Sequence, residues 1–203
     1  MIDPRIYLAS RSPRRRELLT QVGVRFDLLL FRSAPREDPE VNEARLPDEA
    51  PEAYVQRVAR AKAVFAASLM THRSIVARPV LAADTTLDLD GEVIAKPRDE
   101  ADAAAILARL SGRSHRVLTA IAMARGERVE QRLSISEVRF RELNADEIRR
   151  YVQSGEPMDK AGGYGIQGRA AMFVEEIRGS HSGIVGLPLC EAALLLREFG
   201  YPL

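Results

Sequence analysis

Residues 6–19 limit the fold more than any other segment, because a short apolar run there leads directly into a helix start. Residues 6–9 are apolar and predict a β-strand. Ser12 is a preferred N-cap residue, and Pro13 fits the first helical position, where no backbone N–H is needed. We therefore expect a strand, a tight turn and a helix over residues 13–22, which is a unit of α/β folds.

The same turn concentrates hydroxyl and guanidinium groups at the expected helix N-terminus. Ser10 precedes it, and Arg14, Arg15 and Arg16 lie in its first turn. Free backbone N–H groups and the helix dipole favour an anion there, and arginine adds paired donors that match phosphate oxygens. The segment therefore predicts a phosphate site; the alternative is a solvated basic face.

Signals for helices and strands alternate along the rest of the chain. Asp90-Gly91 predicts a hairpin turn within residues 80–95. Further strands are predicted over 26–31, 115–124, 128–140 and 172–177. Helices are predicted over 52–70, from Asp99 to near Gly112, from Asn144 to Gly155 and after Pro188. A proline-rich surface loop is expected over 32–51, and further loops over 156–169 and 179–187. This order predicts an α/β fold with a mixed sheet, in one domain over residues 1–203.

Composition excludes several classes of protein. The formal net charge is +1 and aromatic residues make up 5% of the chain, which disfavours nucleic-acid binding. No apolar run approaches the roughly 18 residues of a membrane-spanning helix, and no N-terminal segment shows the charged, apolar and small-residue order of a signal peptide. The single cysteine, Cys190, fits a reducing cytoplasm, and its apolar surroundings predict a core position.

Asp84 ends an apolar run, where a carboxylate needs a partner or a metal ion. The hairpin that turns at Asp90-Gly91 is expected to bring Lys96 back beside it. This pair is either part of a metal–phosphate site or an ordinary salt bridge. The three histidines lack zinc-ligand spacing, so carboxylates and a hard ion, Mg²⁺ or Mn²⁺, are favoured.

Residues 163–168 match G-x-G-x-x-G, but no strand precedes them and no acid follows at the distance that a ribose contact needs. The match therefore does not indicate a dinucleotide site. We expect these glycines to let the backbone approach a ligand, with the Gln167 amide available to a base edge.

Several motifs in sequence order together resemble the Maf family of nucleoside triphosphate pyrophosphatases. They are L-A-S-x-S-P-R-R at 8–15, E-x-P-x-x-Y-V-x-R-x-A-x-x-K at 49–62, A-D-T at 83–85, K-P at 96–97, L-S-G-x-x-H-x-V-x-T at 110–119, D-K-A-G-x-Y-G-I-Q-G at 159–168 and G-L-P-L at 186–189. Only three of the 30 basic residues are lysines, and all three lie inside these motifs. The resemblance covers nearly the whole chain. Residues 32–40 add length to a loop that is usually short in the family.

The resemblance implies a Maf/ITPase-like fold, in which a strongly twisted mixed sheet is flanked by helices and two lobes enclose a substrate cleft. It also implies a divalent cation, Mg²⁺ or Mn²⁺, and a homodimer. The site residues carried over from the family motifs are, by implied role, Asp84 for catalysis and the metal, Arg14, Thr85 and Gln167 for base preference, and Ser10, Arg15, Lys62 and Lys96 for contacts to phosphates or to one another. Counting back from Tyr54, Glu43 falls where the family places a further carboxylate, which is implied as a metal ligand.

The activity implied is hydrolysis of dTTP and UTP to the nucleoside monophosphate and pyrophosphate, because the 159–168 motif resembles the subfamily with that preference. The alternatives are a pyrophosphatase of the 7-methyl-GTP type and a nucleotide-binding regulator of septum formation without turnover. We expect a nucleoside triphosphate as the ligand, no nucleic-acid or membrane partner, and a cytoplasmic location.

Overall fold

The computed structural model describes residues 4–31 and 41–203, and these residues build a seven-stranded mixed sheet. Its strands are β1 (Ile6–Leu8), β2 (Phe26–Leu28), β3 (Val80–Leu89), β4 (Glu92–Ile94), β5 (Ser114–Arg125), β6 (Arg128–Phe140) and β7 (Val174–Arg178). Their order is β2-β1-β3-β5-β6-β7, and β4 pairs with the far end of β3. β1 is parallel to β2 and β3, whereas the other pairs are antiparallel.

Helices cover both faces of this sheet. They are α1 (Pro13–Gln21), α2 (Pro51–His72), α3 (Glu100–Leu110), α4 (Ala145–Val152), α5 (His181–Val185) and α6 (Leu189–Glu198). Three 3₁₀ turns, Glu156–Asp159, Ala161–Gly163 and Arg169–Phe173, lie between α4 and β7. The mixed sheet with flanking helices confirms the predicted fold class. Within residues 4–31 and 41–203, no helix combines the length and apolar character needed to cross a membrane.

The alternation of side chains along β3 divides the core into two clusters. Val80 and Ala82 pack on one face against the alanine-rich side of α2. Leu81, Ala83 and Leu87 point to the other face, where α1, α3, α5 and α6 contribute buried residues. Consecutive β3 residues therefore contact different helices. By the same alternation, Asp84 points to the α2 face and Thr85 to the opposite face.

Local turn and cap signals account for many of the element boundaries. Ser12 caps α1 by accepting a hydrogen bond from the Arg15 backbone N–H. Asp90 and Gly91 both have positive φ, as the two-residue turn requires. Asp99 caps α3, and Asn144 forms the expected capping box with Glu147 at α4.

Other boundaries differ from the sequence prediction. β2 ends at Leu28 rather than at residue 31, and β7 begins at Val174 because residues 169–173 form a 3₁₀ turn. The 179–187 loop contains the short helix α5. Cys190 is exposed, not in the core, because α6 turns a different face to the sheet. The predicted extra loop at residues 32–40 lies outside the described residues.

The edge of β3 is open between its two partners on one side. β1 pairs with β3 at Val80 and Leu81, and β4 begins to pair at Leu87. The intervening β3 residues are hydrogen-bonded on their other edge to β5. The chain thus leaves a gap beside the middle of β3, next to the N-terminus of α1.

Candidate active site

A cavity of about 1030 Å³ occupies this gap and reaches both faces of the sheet edge. On the face opposite α2 it opens between α1 and α5 on one side and the 159–167 segment on the other. All nine residues that the family resemblance implies line it: Ser10, Arg14, Arg15, Glu43, Lys62, Asp84, Thr85, Lys96 and Gln167. The roles implied for these residues remain predictions.

On the α2 face, an ammonium group bridges two carboxylates. Lys62 Nζ donates to Asp84 Oδ1 at 2.9 Å and lies 3.0 Å from Glu43 Oε2. The Asp84 and Lys62 side chains are each 13% exposed, whereas that of Glu43 is 58% exposed. A charged pair so far removed from water is held together by mutual attraction, and Glu43 adds a second anionic partner on the solvent side.

The expected neighbour of Asp84 was Lys96, and here the structure differs. Among the described residues, the ion pair of Asp84 is made with Lys62 of α2. The β3–β4 ladder ends at Leu87 and Ile94, so the chain leaves the ribbon before it comes level with Asp84. Lys96 is exposed and lines the cavity beyond that point.

The segment that carries Glu43 is fastened to α2 by two side chains. Arg57 donates to the carbonyl oxygens of Asn42 and Ala44 and forms an ion pair with Glu49. Hydrogen bonds from Arg57 hold the pKa of Glu49 at about 2. The Tyr54 hydroxyl donates to the Glu43 carbonyl at 3.1 Å. Glu49, Tyr54 and Arg57 of the 49–62 motif thus position Glu43. The sequence alone did not predict this role for them.

The pKa of Tyr54 reflects the negative charge at this end of the cavity. Burial raises the pKa of its hydroxyl, and the nearby charges of Asp84 and Glu43 raise that pKa further. The phenol therefore stays protonated and keeps donating to the Glu43 backbone.

On the opposite face of β3, Arg15 ties three segments together. Its Nε donates to Gly186 O and its Nη1 to Ala83 O, both at 2.8 Å. The same guanidinium donates to Ser10 Oγ at 3.3 Å and to Thr85 Oγ1 at 3.2 Å. Burial lowers the pKa of Arg15, although the charge of Asp84 acts in the other direction. Four of its five N–H groups are therefore already directed at the protein.

The segment with Gln167 is closed by the carboxylate of Glu156. Glu156 Oε1 accepts from the Tyr151 hydroxyl and Oε2 from the Arg169 backbone N–H, both at 3.0 Å. A Cβ on Gly168 would lie 2.2 Å from this carboxylate, so a larger residue there would displace the Glu156 side chain from these hydrogen bonds. Gln167 itself is exposed and lines the cavity. Glu156 thus holds the loop at its base, and the side-chain amide of Gln167 lies at the cavity.

A buried histidine supports this loop from behind. His115 Nε2 and the Tyr164 hydroxyl are 2.8 Å apart, and both rings pack edge-to-face on Phe140. Burial lowers the pKa of His115 to about 4 and raises that of Tyr164 above its usual range. Both groups are therefore neutral at physiological pH, and their hydrogen bond is not disturbed by titration there.

An ion pair crosses the mouth of the cavity. Arg14 Nη1 lies 3.6 Å from Asp159 Oδ2, which links the start of α1 to the loop that carries Gln167. Partial burial acts to raise the pKa of Asp159, but the hydrogen bond from Lys160 and the charges of Lys160 and Arg14 together lower it. Sequence reasoning identified Arg14 but did not foresee this partner across the cavity.

Sequence comparison shows the family to which this arrangement belongs. The model of the Maf-like protein family matches residues 5–199. The chain belongs to that family. Among its Maf relatives is a "dTTP/UTP pyrophosphatase" of Aromatoleum aromaticum, 62% identical over 203 residues, which are all of this chain and 98% of the relative. A protein of the same name from Dechloromonas aromatica is 58% identical over 97% of this chain and 98% of its own length.

Solved structures are also similar to this chain. The Staphylococcus aureus Ham1 protein matches over 67% of this chain and 71% of its own, at 18% identity and a TM-score of 0.45.

Proposed function

We propose that this Maf protein hydrolyses dTTP and UTP to the nucleoside monophosphate and pyrophosphate. One observation carries the proposal: a single cavity holds a paired carboxylate, Asp84, together with cationic groups and with the exposed amide of Gln167. The names of the relatives, which share 58–62% identity over nearly the full length, support the same substrates.

The proposed reaction is attack of water on the α-phosphorus with pyrophosphate as the leaving group. Asp84 accepts the proton of the attacking water or orients that water for attack. Arg14, Lys62 and Lys96 and the N-terminus of α1 face the cavity and neutralise the charge that builds up on the phosphate oxygens.

The residues present fit a hard divalent cation as the cofactor. Asp84 and Glu43 direct carboxylate oxygens at one point, since both contact the Lys62 ammonium. Among the described residues, no group of three or more His, Cys, Asp or Glu side chains could hold a metal ion. We therefore propose that Asp84 and Glu43 would be the protein ligands of Mg²⁺ or Mn²⁺, since one or two carboxylates suffice where the substrate is a phosphate compound. When bound, the ion supplies neutralisation of phosphate charge.

Base preference is proposed to arise from hydrogen bonds at the other end of the cavity. A uracil or thymine edge presents an acceptor, a donor and an acceptor, and the Gln167 amide offers both a donor and an acceptor. Buried polar groups left unpaired by a mismatched base weaken its binding strongly. A cytoplasmic location, a homodimer and the absence of nucleic-acid and membrane partners belong to the same proposal.

The test is pyrophosphate release across dTTP, UTP, dCTP, dATP, dGTP and 7-methyl-GTP, with chromatography of the products. We expect the highest kcat/KM for dTTP and UTP. Gln167→Ala should reduce that preference more than it lowers the best rate, whereas the control Gln153→Ala changes an exposed glutamine just after α4 and should have no effect.

Three results would contradict the proposal. A preference for 7-methyl-GTP would assign the chain to the other substrate class. Binding without turnover would indicate a nucleotide-binding regulator. Release of orthophosphate instead of pyrophosphate would place the attack at a different phosphorus.

A further inference from the structure

Behind Thr85 lies a row of hydrogen bonds that ends in the protein interior. Thr85 of β3 pairs directly with Thr119 of β5, and their hydroxyl oxygens are 3.0 Å apart. Thr119 is fully buried, and its Oγ1 is 2.8 Å from the carbonyl oxygen of Gly183 in α5. At the other end, Arg15 Nη2 donates to Thr85 Oγ1 at 3.2 Å.

The direction of every bond in this row is determined by its two ends. A carbonyl oxygen only accepts, so Thr119 must use its one hydroxyl hydrogen on Gly183. Thr119 can then only accept from Thr85, which spends the hydrogen of Thr85. A guanidinium only donates, so Arg15 occupies one lone pair of the Thr85 oxygen.

Thr85 consequently faces the cavity with one lone pair and no hydrogen to donate. We propose that Thr119, which lies one strand behind the cavity wall, is a specificity-determining positioning residue that makes Thr85 an obligate acceptor. The inference rests on the proposed function. The ligand group selected is a hydrogen-bond donor, namely N3–H of uracil or thymine, whereas N3 of cytosine is an acceptor and is rejected.

Ser10 shows the opposite polarity under the same guanidinium. Its Oγ accepts from Arg15 Nη1 at 3.3 Å and from the Ser12 backbone N–H at 3.2 Å. With both lone pairs used, the hydroxyl hydrogen of Ser10 remains to be donated, which suits a phosphate oxygen or a base carbonyl. The polarity of Thr85 therefore depends on Thr119 and is not a general property of hydroxyls that contact Arg15.

Neutron diffraction from deuterium-exchanged crystals tests the polarity directly. We expect the Thr85 deuterium on the line to Thr119 Oγ1 and the Thr119 deuterium on the line to Gly183 O. A Thr119 deuterium directed at Thr85 would overturn the inference. This measurement does not depend on any enzymatic activity.

Kinetics of Thr119→Val test the consequence, with Thr119→Ser as the control that keeps the hydroxyl. The valine variant is expected to fold, because Gly183 O keeps its bond from the Gly186 N–H. Thr85 then regains a free hydrogen, so the ratio of kcat/KM for UTP over CTP should fall about tenfold, the size of one hydrogen bond. Thr119→Ser should restore the wild-type ratio.

The outcomes separate the inference from the proposed function. A wild-type protein that releases no pyrophosphate from dTTP or UTP contradicts the proposed function, and the deuterium positions still decide the polarity of Thr85. A wild-type preference for UTP that Thr119→Val leaves intact overturns the inference alone. An equal loss in Thr119→Val and Thr119→Ser also overturns it, because the hydroxyl would then not be the cause.

Discussion

Arg15→Ala is expected to destabilise the protein, because this side chain joins the turn before α1, strand β3 and the residue after α5. The variant leaves the carbonyl oxygens of Ala83 and Gly186 without their 2.8 Å partners. It also releases Ser10 and Thr85 from a common donor. The walls of the cavity therefore lose the group that holds them in register.

The size of the effect follows from these bonds. Hydrogen bonds to a charged group contribute about 1.5–3 kcal/mol each, so the two short ones together contribute about 3–6 kcal/mol. Burial of the guanidinium, which lowers its pKa, is unfavourable and offsets part of that gain. We expect a net loss of about 2–3 kcal/mol in the free energy of unfolding and a fall of about 5–10 °C in Tm for a chain of this length.

Urea titration and calorimetry measure this loss, and Arg16→Ala is the matched control. Arg16 follows directly in α1 and carries the same charge, so its removal tests a diffuse basic face. We expect Arg16→Ala to change stability by less than about 0.5 kcal/mol. Equal losses in the two variants, or unchanged stability in Arg15→Ala with weakened dTTP binding, would refute the assignment of Arg15 to the cavity wall.

Two further predictions concern charge and pH. Asp84→Asn should fold, since Lys62 keeps its contact with Glu43. The kcat of this variant should fall by roughly 10²-fold or more. Near-normal turnover in the folded variant would exclude Asp84 as the catalytic residue. Burial holds the pKa of His115 at about 4, below the unfolded value of 6.5. The neutral ring therefore contributes fully to the free energy of unfolding above pH 6.5. This contribution, up to about 3 kcal/mol, is lost as the pH falls toward 4. Urea titrations across this window should show a slope that His115→Gln removes and that substitution of the exposed His72 by Gln leaves intact.

Local chemistry made much of the fold predictable. The caps at Ser12, Asp99 and Asn144 and the turn at Asp90-Gly91 act within a few residues of themselves, so the sequence displays them directly. Helix α5 was missed because five residues are too few to show a helical period. Exposure of Cys190 depends on which face α6 turns to the sheet, and this is decided by packing at distant positions.

The site was predictable as a set of residues but not as a set of contacts. The family resemblance named all nine residues, eight of them within its motifs and Glu43 by its distance from Tyr54, and the structure places them around one cavity. The motifs did not show that Asp84 pairs with Lys62, because α2 and β3 meet only in the tertiary fold. They also did not show the row from Arg15 through Thr85 to Thr119, whose members are separated by 70 and 34 positions.

The adjacent residues Asp84 and Thr85 explain why the cavity lies at the edge of β3 and not on one face of the sheet. Neighbouring strand residues point to opposite faces, so Asp84 meets Lys62 on the α2 side while Thr85 meets Arg15 on the other. A ligand reaches both only where the edge between β1 and β4 is open. Under the proposed function, catalysis by Asp84 and base recognition by Thr85 therefore take place on opposite faces of one strand. A one-residue change of register in β3 would exchange the two faces and abolish both.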